Sequence, residues 1–548
     1  MQTALCWTDA LVLALFTYAI EMILVILPFK LGRVITGYCT FGVEHRGQHA
    51  FFTHGQVRTQ SQGARTHMAT PADWAVLVYI SADDFLTNFA IETLKQLKLA
   101  SGGQVVAAAQ VDQNGARETR RFRFPLRPNE KKDSSLDNNR VPIDLTDPDI
   151  DEKALQRGVA DPMNLTKFVD WASIDPDTGD LIAERFCIVA WGHGVELLLD
   201  EERLRTSKGT KLRVSRRYLT PANLRKGLEG TKLFKSKKKF DIIGLDACSM
   251  SMVELASELQ SCADFMIASQ EDVPDVSFPY LNILEGLKAA SGGKEMEAKE
   301  VSITIADLYL RAYQDYISAP GAGVRAMTLS SLNLSQVKRV TEPLRSLADR
   351  LLAVTDLKTN MSDELRKKMF EAILKARSDS RSFVFGLFVD LFNFCEQLDK
   401  RLGSMAPDLS LACSKIREAI TENDDGFVIR NAKGAGEKGK DCHGLSIYFP
   451  YRKDDATDAF QVLQALGPDE DRPVKGGERP NKGGERPNKE RTARIEELET
   501  DFDRLTEFKL TNWMKFIKEG WSRILTKEEP ENLDLRYSGQ QVAKNLAA

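Results

Sequence analysis

Two short segments combine reactive residue types with a spacing that could put them to work. They are Trp191-Gly192-His193-Gly194 and Asp246-Ala247-Cys248-Ser249-Met250. A cysteine thiol of pKa about 8.5 is a few per cent thiolate at neutral pH. One imidazole within reach is therefore enough to assist its attack on a carbonyl and to protonate a leaving amine. Of the six histidines, His45, His49, His54 and His67 precede Met68, which leaves His193 and His443 for the rest of the chain. His443 adjoins Cys442, and neighbours on a strand point to opposite faces, so these two cannot act as a pair. His193 and Cys248 can, if the strands that carry them are neighbours. Glycines on both sides of His193 let backbone approach a substrate closely, and the Gly194 amide is a candidate for helping to hold an oxyanion. The helix starting after Cys248 would aim its positive end at the thiolate. The same residues also fit a plainer reading, in which Cys248 is a small buried hydrophobe and His193-Gly194 a turn.

The elements that would position this pair are legible as apolar runs. Trp74–Ile80, Gln104–Val111, Arg185–Trp191 and Phe240–Leu245 are continuous apolar stretches of strand length, as expected for a sheet buried on both faces. Arg120–Phe124 reads as an edge strand. Helical spacing marks Asn88–Leu99, Asn164–Ala172, Val301–Ala312, Ser335–Val354 and Ser382–Leu398, while Val324–Leu329 and Gly444–Phe449 read as later strands. Strands alternating with helices predict an α/β fold with a mostly parallel sheet. In such sheets ligands bind at the carboxyl ends of the strands, where both candidate segments lie.

Composition narrows the class. The 548 residues are 42% hydrophobic and 28% charged, with Lys+Arg 75 against Asp+Glu 79. That excludes collagen-like and wholly disordered chains, and a formal charge of −4 gives no global field for nucleic acid. Eight cysteines in so long a chain make no disulfide framework, and no CxxC pair suggests zinc.

Residues 1–69 read as a leader. The run Ala10–Phe29 is long enough to span a bilayer, but Asp9 precedes it and Glu21 interrupts it. It reads as a membrane anchor, an unusual secretion signal, or upstream sequence before a true start at Met68, the last of which would make the protein cytoplasmic. The heptad Lys475–Asn481 (KGGERPN) repeats as Lys482–Asn488 and reads as a solvated linker, set at 466–490. Charged helical stretches follow near Arg491–Leu505 and Asn512–Leu525, within a C-terminal region of 491–548.

In their order, the segments WAVLVYISADD, IVAWGHG, FDIIGLDACSMSMVELASEL, FMIASQEDVPDVSFPY, VDLFNF and HGLSIYFP resemble the clostripain family of cysteine peptidases, of the clan that includes caspases, legumains and gingipains. The resemblance spans residues 73–450 and implies a caspase-like three-layer α/β/α sandwich over 70–465. It also implies that His193 is the catalytic histidine, Cys248 the nucleophile, and the Gly194 and Cys248 amides the oxyanion hole. Ser249 and the segment after ASQEDVP depart from the family's pattern, which has a bulkier residue after the cysteine and a glycine and tryptophan in that segment.

Specificity follows from charge. Asp246, two residues before Cys248, shares its face of an extended segment. It would attract an Arg or Lys at P1, the preference that the resemblance also implies, or else cap the following helix. Asp272 and Asp275 are secondary candidates for that pocket. Residues 203–217 carry seven basic residues and no acid (Arg203, Arg205, Lys208, Lys211, Arg213, Arg216, Arg217). Such a block is expected to be a disordered, protease-accessible loop. Self-cleavage there, with Lys208, Lys211 and Arg213 as candidate sites, would leave two associated chains, as in family members. A basic patch for an anionic partner is the rival reading. Asp83 and Asp84 are weak calcium candidates and more readily turn residues. No organic cofactor, no nucleic acid and no partner beyond a peptide or protein substrate is expected, from a monomer or its processed two-chain form. A non-catalytic scaffold or sensor of the same fold, and a transpeptidase or ligase, are the alternatives.

Overall fold

The computed structural model describes residues 71–82, 86–112, 119–124, 158–176, 178–194, 199–205, 212–237, 239–274, 277–290, 296–314, 327–383, 386–434, 437–450, 502 and 505–527. The leader with its apolar run 10–29, Asp83, Asp84, and the repeat linker lie outside them. No helix among the described residues is long and apolar enough to cross a membrane.

Among the described residues, thirteen strands follow in chain order. They are β1 (Ala72–Ser81), β2 (Val105–Asp112), β3 (Arg120–Phe124), β4 (Ala183–Trp191), β5 (Leu199–Arg205), β6 (Leu212–Tyr218), β7 (Phe240–Asp246), β8 (Ala263–Ala268), β9 (Thr328–Asn333), β10 (Ser382–Phe383), β11 (Phe388–Asp390), β12 (Val428–Lys433) and β13 (Ser446–Tyr448). Eight of them form one mixed sheet in the order β12-β9-β8-β7-β4-β1-β2-β3. The five central strands β8-β7-β4-β1-β2 run parallel, while β3, β9 and β12 pair antiparallel at the flanks.

The apolar runs lack alternation because both faces are covered. On β1, Trp74, Val76, Val78 and Ile80 enter one core with α1 (Leu86–Ala100), while Ala75, Leu77 and Tyr79 enter the other with α2 (Pro162–Ser173). The first core continues under α5 (Tyr280–Ala290) and α6 (Ala298–Ala312). The second continues under α3 (Pro221–Gly230), α4 (Val253–Leu259) and α7 (Lys338–Thr355). This is the α/β/α layering predicted from the sequence. Full burial of each Leu, Ile or Phe contributes about 1.5–3 kcal/mol.

Three local readings are corrected. Ser382–Leu398 is not one helix: β10 and β11 form an antiparallel pair across Gly386, whose φ is 90°, and α9 (Leu391–Leu402) starts only after Asp390. The strand expected at Val324–Leu329 lies later, as β9. The described parts of the basic block, 203–205 and 212–217, are strand rather than loop. β5 and β6 form an antiparallel hairpin whose register sets Asp200 opposite Arg217 and Glu201 opposite Arg216. Asp200, Glu201 and Glu202 lie just upstream of the block.

A small sheet β10-β11-β13 packs at the second core. Its last strand is covered by residues 502–524, whose Phe502, Phe508, Trp513, Phe516, Trp521 and Ile524 are all buried in that core. The Trp513 and Trp521 indoles donate to the carbonyls of Tyr448 (2.7 Å) and Pro450 (2.8 Å). The C-terminal helical stretch is thus part of the main core.

Candidate active site

The tails of β4 and β7 meet. Their parallel register runs to Trp191 opposite Asp246, and the Gly192 N–H donates to the Asp246 carbonyl at 3.2 Å. His193 and Cys248 therefore leave adjacent strands at the same level. Beyond them the two turns press together at Gly194: a Cβ there would lie 1.8 Å from the Cys248 carbonyl oxygen and 2.4 Å from its nitrogen. No side chain fits in that space, so the glycine is dictated by the close approach of the two backbones.

Cys248 differs from the other described cysteines. Cys187, Cys262, Cys395, Cys413 and Cys442 are buried, whereas Cys248 is half-exposed. Burial pushes the Cys187, Cys262 and Cys442 thiols up to about 12, which keeps them protonated and inert. The Cys248 sulfur accepts from the Val273 N–H at 3.4 Å and lies 3.8 Å from the Val273 carbonyl oxygen. Ser249, the next residue, adopts a left-handed φ of 57°. Its amide donates to the Glu271 carbonyl (3.0 Å), and that of Ser251 to the Ser269 carbonyl (2.8 Å). The strap 269–273, leaving β8, thus runs alongside the turn that carries the sulfur.

The helix expected after Cys248 is present as α4. α4 begins at Val253, with Met252 at its cap position and no side-chain cap bond. Asp246 is accordingly no helix cap. Its carboxylate is 3% exposed, and Oδ2 accepts from the Ser277 hydroxyl, the Phe278 N–H (3.0 Å) and the Tyr280 hydroxyl (2.9 Å). Oδ1 has no hydrogen-bond partner among the described residues. Burial outweighs those three donors and raises the Asp246 carboxyl from 3.8 to about 6. Asp272 is half-buried on the strap, and Asp275 lies outside the described residues.

Sequence reasoning missed the support around Asp246. Ser277, at a left-handed φ of 73°, also accepts from the Trp191 indole, and the Tyr313 hydroxyl donates to its carbonyl. Two of the three non-glycine residues with positive φ among the described residues thus belong to these turns, as expected where strain is held at a site. No local pattern marks Ser277 or Val273; only the fold brings them near. The processing candidates Lys208 and Lys211 lie outside the described residues, and Arg213 lies in β6 opposite Leu204.

A mixed sheet with a histidine turn and a half-exposed cysteine on adjacent parallel strand tails defines a class: three-layer α/β proteins whose chemistry sits at the carboxyl edge of the sheet. Within it, the chain belongs to the clostripain family of cysteine peptidases, whose model matches residues 78–521. It is a cysteine peptidase, and its substrates are peptides or proteins. Among solved structures it is similar to a secreted C11 cysteine protease from Bacteroides thetaiotaomicron in complex with an irreversible peptide inhibitor, at 19% identity over 69% of this chain and 92% of that one, TM-score 0.44. It is also similar to an inactive zymogen C11 protease from Parabacteroides distasonis, at 18% identity over 73% of this chain and 98% of that one, TM-score 0.43. No curated protein sequence matches it.

Proposed function

We propose that the protein is an endopeptidase that cuts after Arg or Lys through a Cys248–His193 dyad. The observation that carries this reading is the contact of the Gly194 backbone with the Cys248 backbone at the ends of paired strands. His193 takes the thiol proton as the sulfur attacks the carbonyl, and the new oxyanion meets the Gly194 and Cys248 amides. Collapse of the tetrahedral species hands the proton to the leaving amine and leaves a thioester. Water, deprotonated by His193, then releases the acid and restores the thiol. Every atom moved comes from substrate, water and these two side chains.

The buried, unpartnered Oδ1 of Asp246 supports a P1 cation, with Asp272 a secondary carboxylate on the strap and Asp275 a further candidate. Self-processing falls within the basic segment 203–217, with Lys208, Lys211 and Arg213 as candidate sites. The membrane segment 10–29 and the Asp83–Asp84 calcium site remain proposals at the level of sequence.

The test is hydrolysis of Arg- and Lys-terminated fluorogenic peptides by purified full-length protein. Cys248→Ala is expected to be silent and His193→Ala to lose at least about a thousandfold in kcat. The wild type should run as two fragments and Cys248→Ala as one. Undiminished hydrolysis by Cys248→Ala sinks the dyad, and an intact active enzyme sinks the processing.

A further inference from the structure

Behind the strap stands a polar cluster that the catalytic cycle does not use. Asp390 is fully buried at the start of α9 and accepts four hydrogen bonds. Oδ1 takes the Asn393 N–H (2.8 Å) and His443 Nδ1 (3.0 Å), and Oδ2 takes the Gln270 amide (3.0 Å) and the His443 N–H (2.7 Å). An ionised carboxylate only accepts, so the ring nitrogen facing it carries the proton. The imidazole stacks on Phe392 at 4.1 Å. Capping α9 needs only the Asn393 contact. The other three donors tie Asp390 to two distant segments, the one before β13 and the strap.

Gln270 is the link. It is fully buried, its amide nitrogen is held by Asp390, and its carbonyl oxygen accepts from the Gly444 N–H at 2.6 Å. Both ends of the side chain are therefore fixed. The residues on either side of it, Ser269 and Glu271, accept the Ser251 and Ser249 amides, and Glu271 is also paired with Arg381. Two residues further on, Val273 presents its N–H to the Cys248 sulfur. A donor aimed at sulfur favours the thiolate over the thiol and lowers its pKa.

We propose that Asp390 and Gln270 are positioning residues for Cys248: they anchor the 269–273 strap so that the Val273 N–H stabilises the thiolate. His443 completes the anchor through its contact with Asp390. The proposal rests on the reading of Cys248 as nucleophile, but thiolate formation can be measured without assuming it.

The experiment follows alkylation of Cys248 by iodoacetamide against pH in the full chain, quantified on the Cys248 peptide by mass spectrometry. Tyr309 interacts electrostatically with this sulfur, and it is unchanged in every arm, as are His193 and Asp246. Gln270→Ala and Asp390→Asn are expected to raise the alkylation midpoint by about one pH unit. That slows the reaction about tenfold below the midpoint and leaves the high-pH rate unchanged. kcat should fall with little change in KM. His443→Ala should shift the midpoint the same way, and His443→Asn, which keeps a donor toward Asp390, should restore it. Trp521→Ala, remote from the strap, is the control for stability: it should lower Tm and leave the midpoint in place. Folded Gln270→Ala and His443→Ala proteins with a wild-type midpoint overturn the proposal. Retained hydrolysis by Cys248→Ala overturns the dyad instead.

Discussion

Gly194 shows how tightly single residues are constrained at this site. A methyl group there meets the Cys248 carbonyl oxygen at 1.8 Å, backbone against backbone, so one of the two turns must move. A displacement near 1 Å at a reacting centre costs about a hundredfold. Gly194→Ala is expected to lose at least that in kcat/KM, read in a steady-state peptide assay, while circular dichroism shows a folded chain. Asp246 makes a different prediction, one of pH. Burial lifts its carboxyl to about 6, so below that pH it is protonated and attracts no cation. Activity toward Arg peptides should therefore rise as pH passes upward through about 6. Asp246→Asn should flatten that limb and remove the preference for Arg and Lys over neutral P1 residues; an unchanged preference would exclude Asp246 from the pocket.

At the scale of elements, α4 couples the turn after Cys248 to the C-terminal segment. Glu254, in its first turn, accepts the Tyr448 N–H at 2.7 Å and is raised by burial from 4.5 to about 7. One turn on, Glu258 pairs with Arg225 at 2.7 Å and accepts the Thr506 N–H at 2.9 Å. For Glu254 the folded state holds its proton more tightly than the unfolded chain. Its contribution to stability is therefore full below pH 4.5 and is lost as pH rises to about 7. The change is on the order of 3 kcal/mol. Glu254→Gln should flatten this part of the Tm-versus-pH curve, and a curve of unchanged slope would disprove the assignment. These couplings mark where the sequence stops being readable. Apolar runs such as Trp74–Ile80 announce themselves, because a doubly covered strand needs no polar partner. β10 and β11, two and three residues long, carry no period of their own and exist because β10 pairs with β11 and β11 with β13. The candidate pair His193 and Cys248 could be singled out because few histidines remained and both motifs ended apolar runs. Asp390, Gln270 and Val273 were not, since their roles arise from contacts across 120 and 25 positions of chain.

The whole molecule is closed by its late aromatic segment. Trp521 and Trp513 stack edge-on against Phe449 at centroid distances of 4.7 and 5.3 Å, and both indoles are hydrogen-bonded. Truncating either ring leaves a cavity costing about 3–5 kcal/mol. Trp513→Ala should lower the urea midpoint accordingly, and a chain ending at Pro450 should fail to give a cooperative unfolding transition. Cooperative melting of that truncated chain would show that 502–524 are dispensable. The placement of this segment also sets a schedule. Residues 502–524 are translated after all thirteen strands, yet the hydrophobic interior is incomplete until they dock. A nascent chain still on the ribosome therefore has Cys248 but not the finished scaffold beneath it, so the timing of synthesis itself delays the appearance of a working protease beside newly made neighbours.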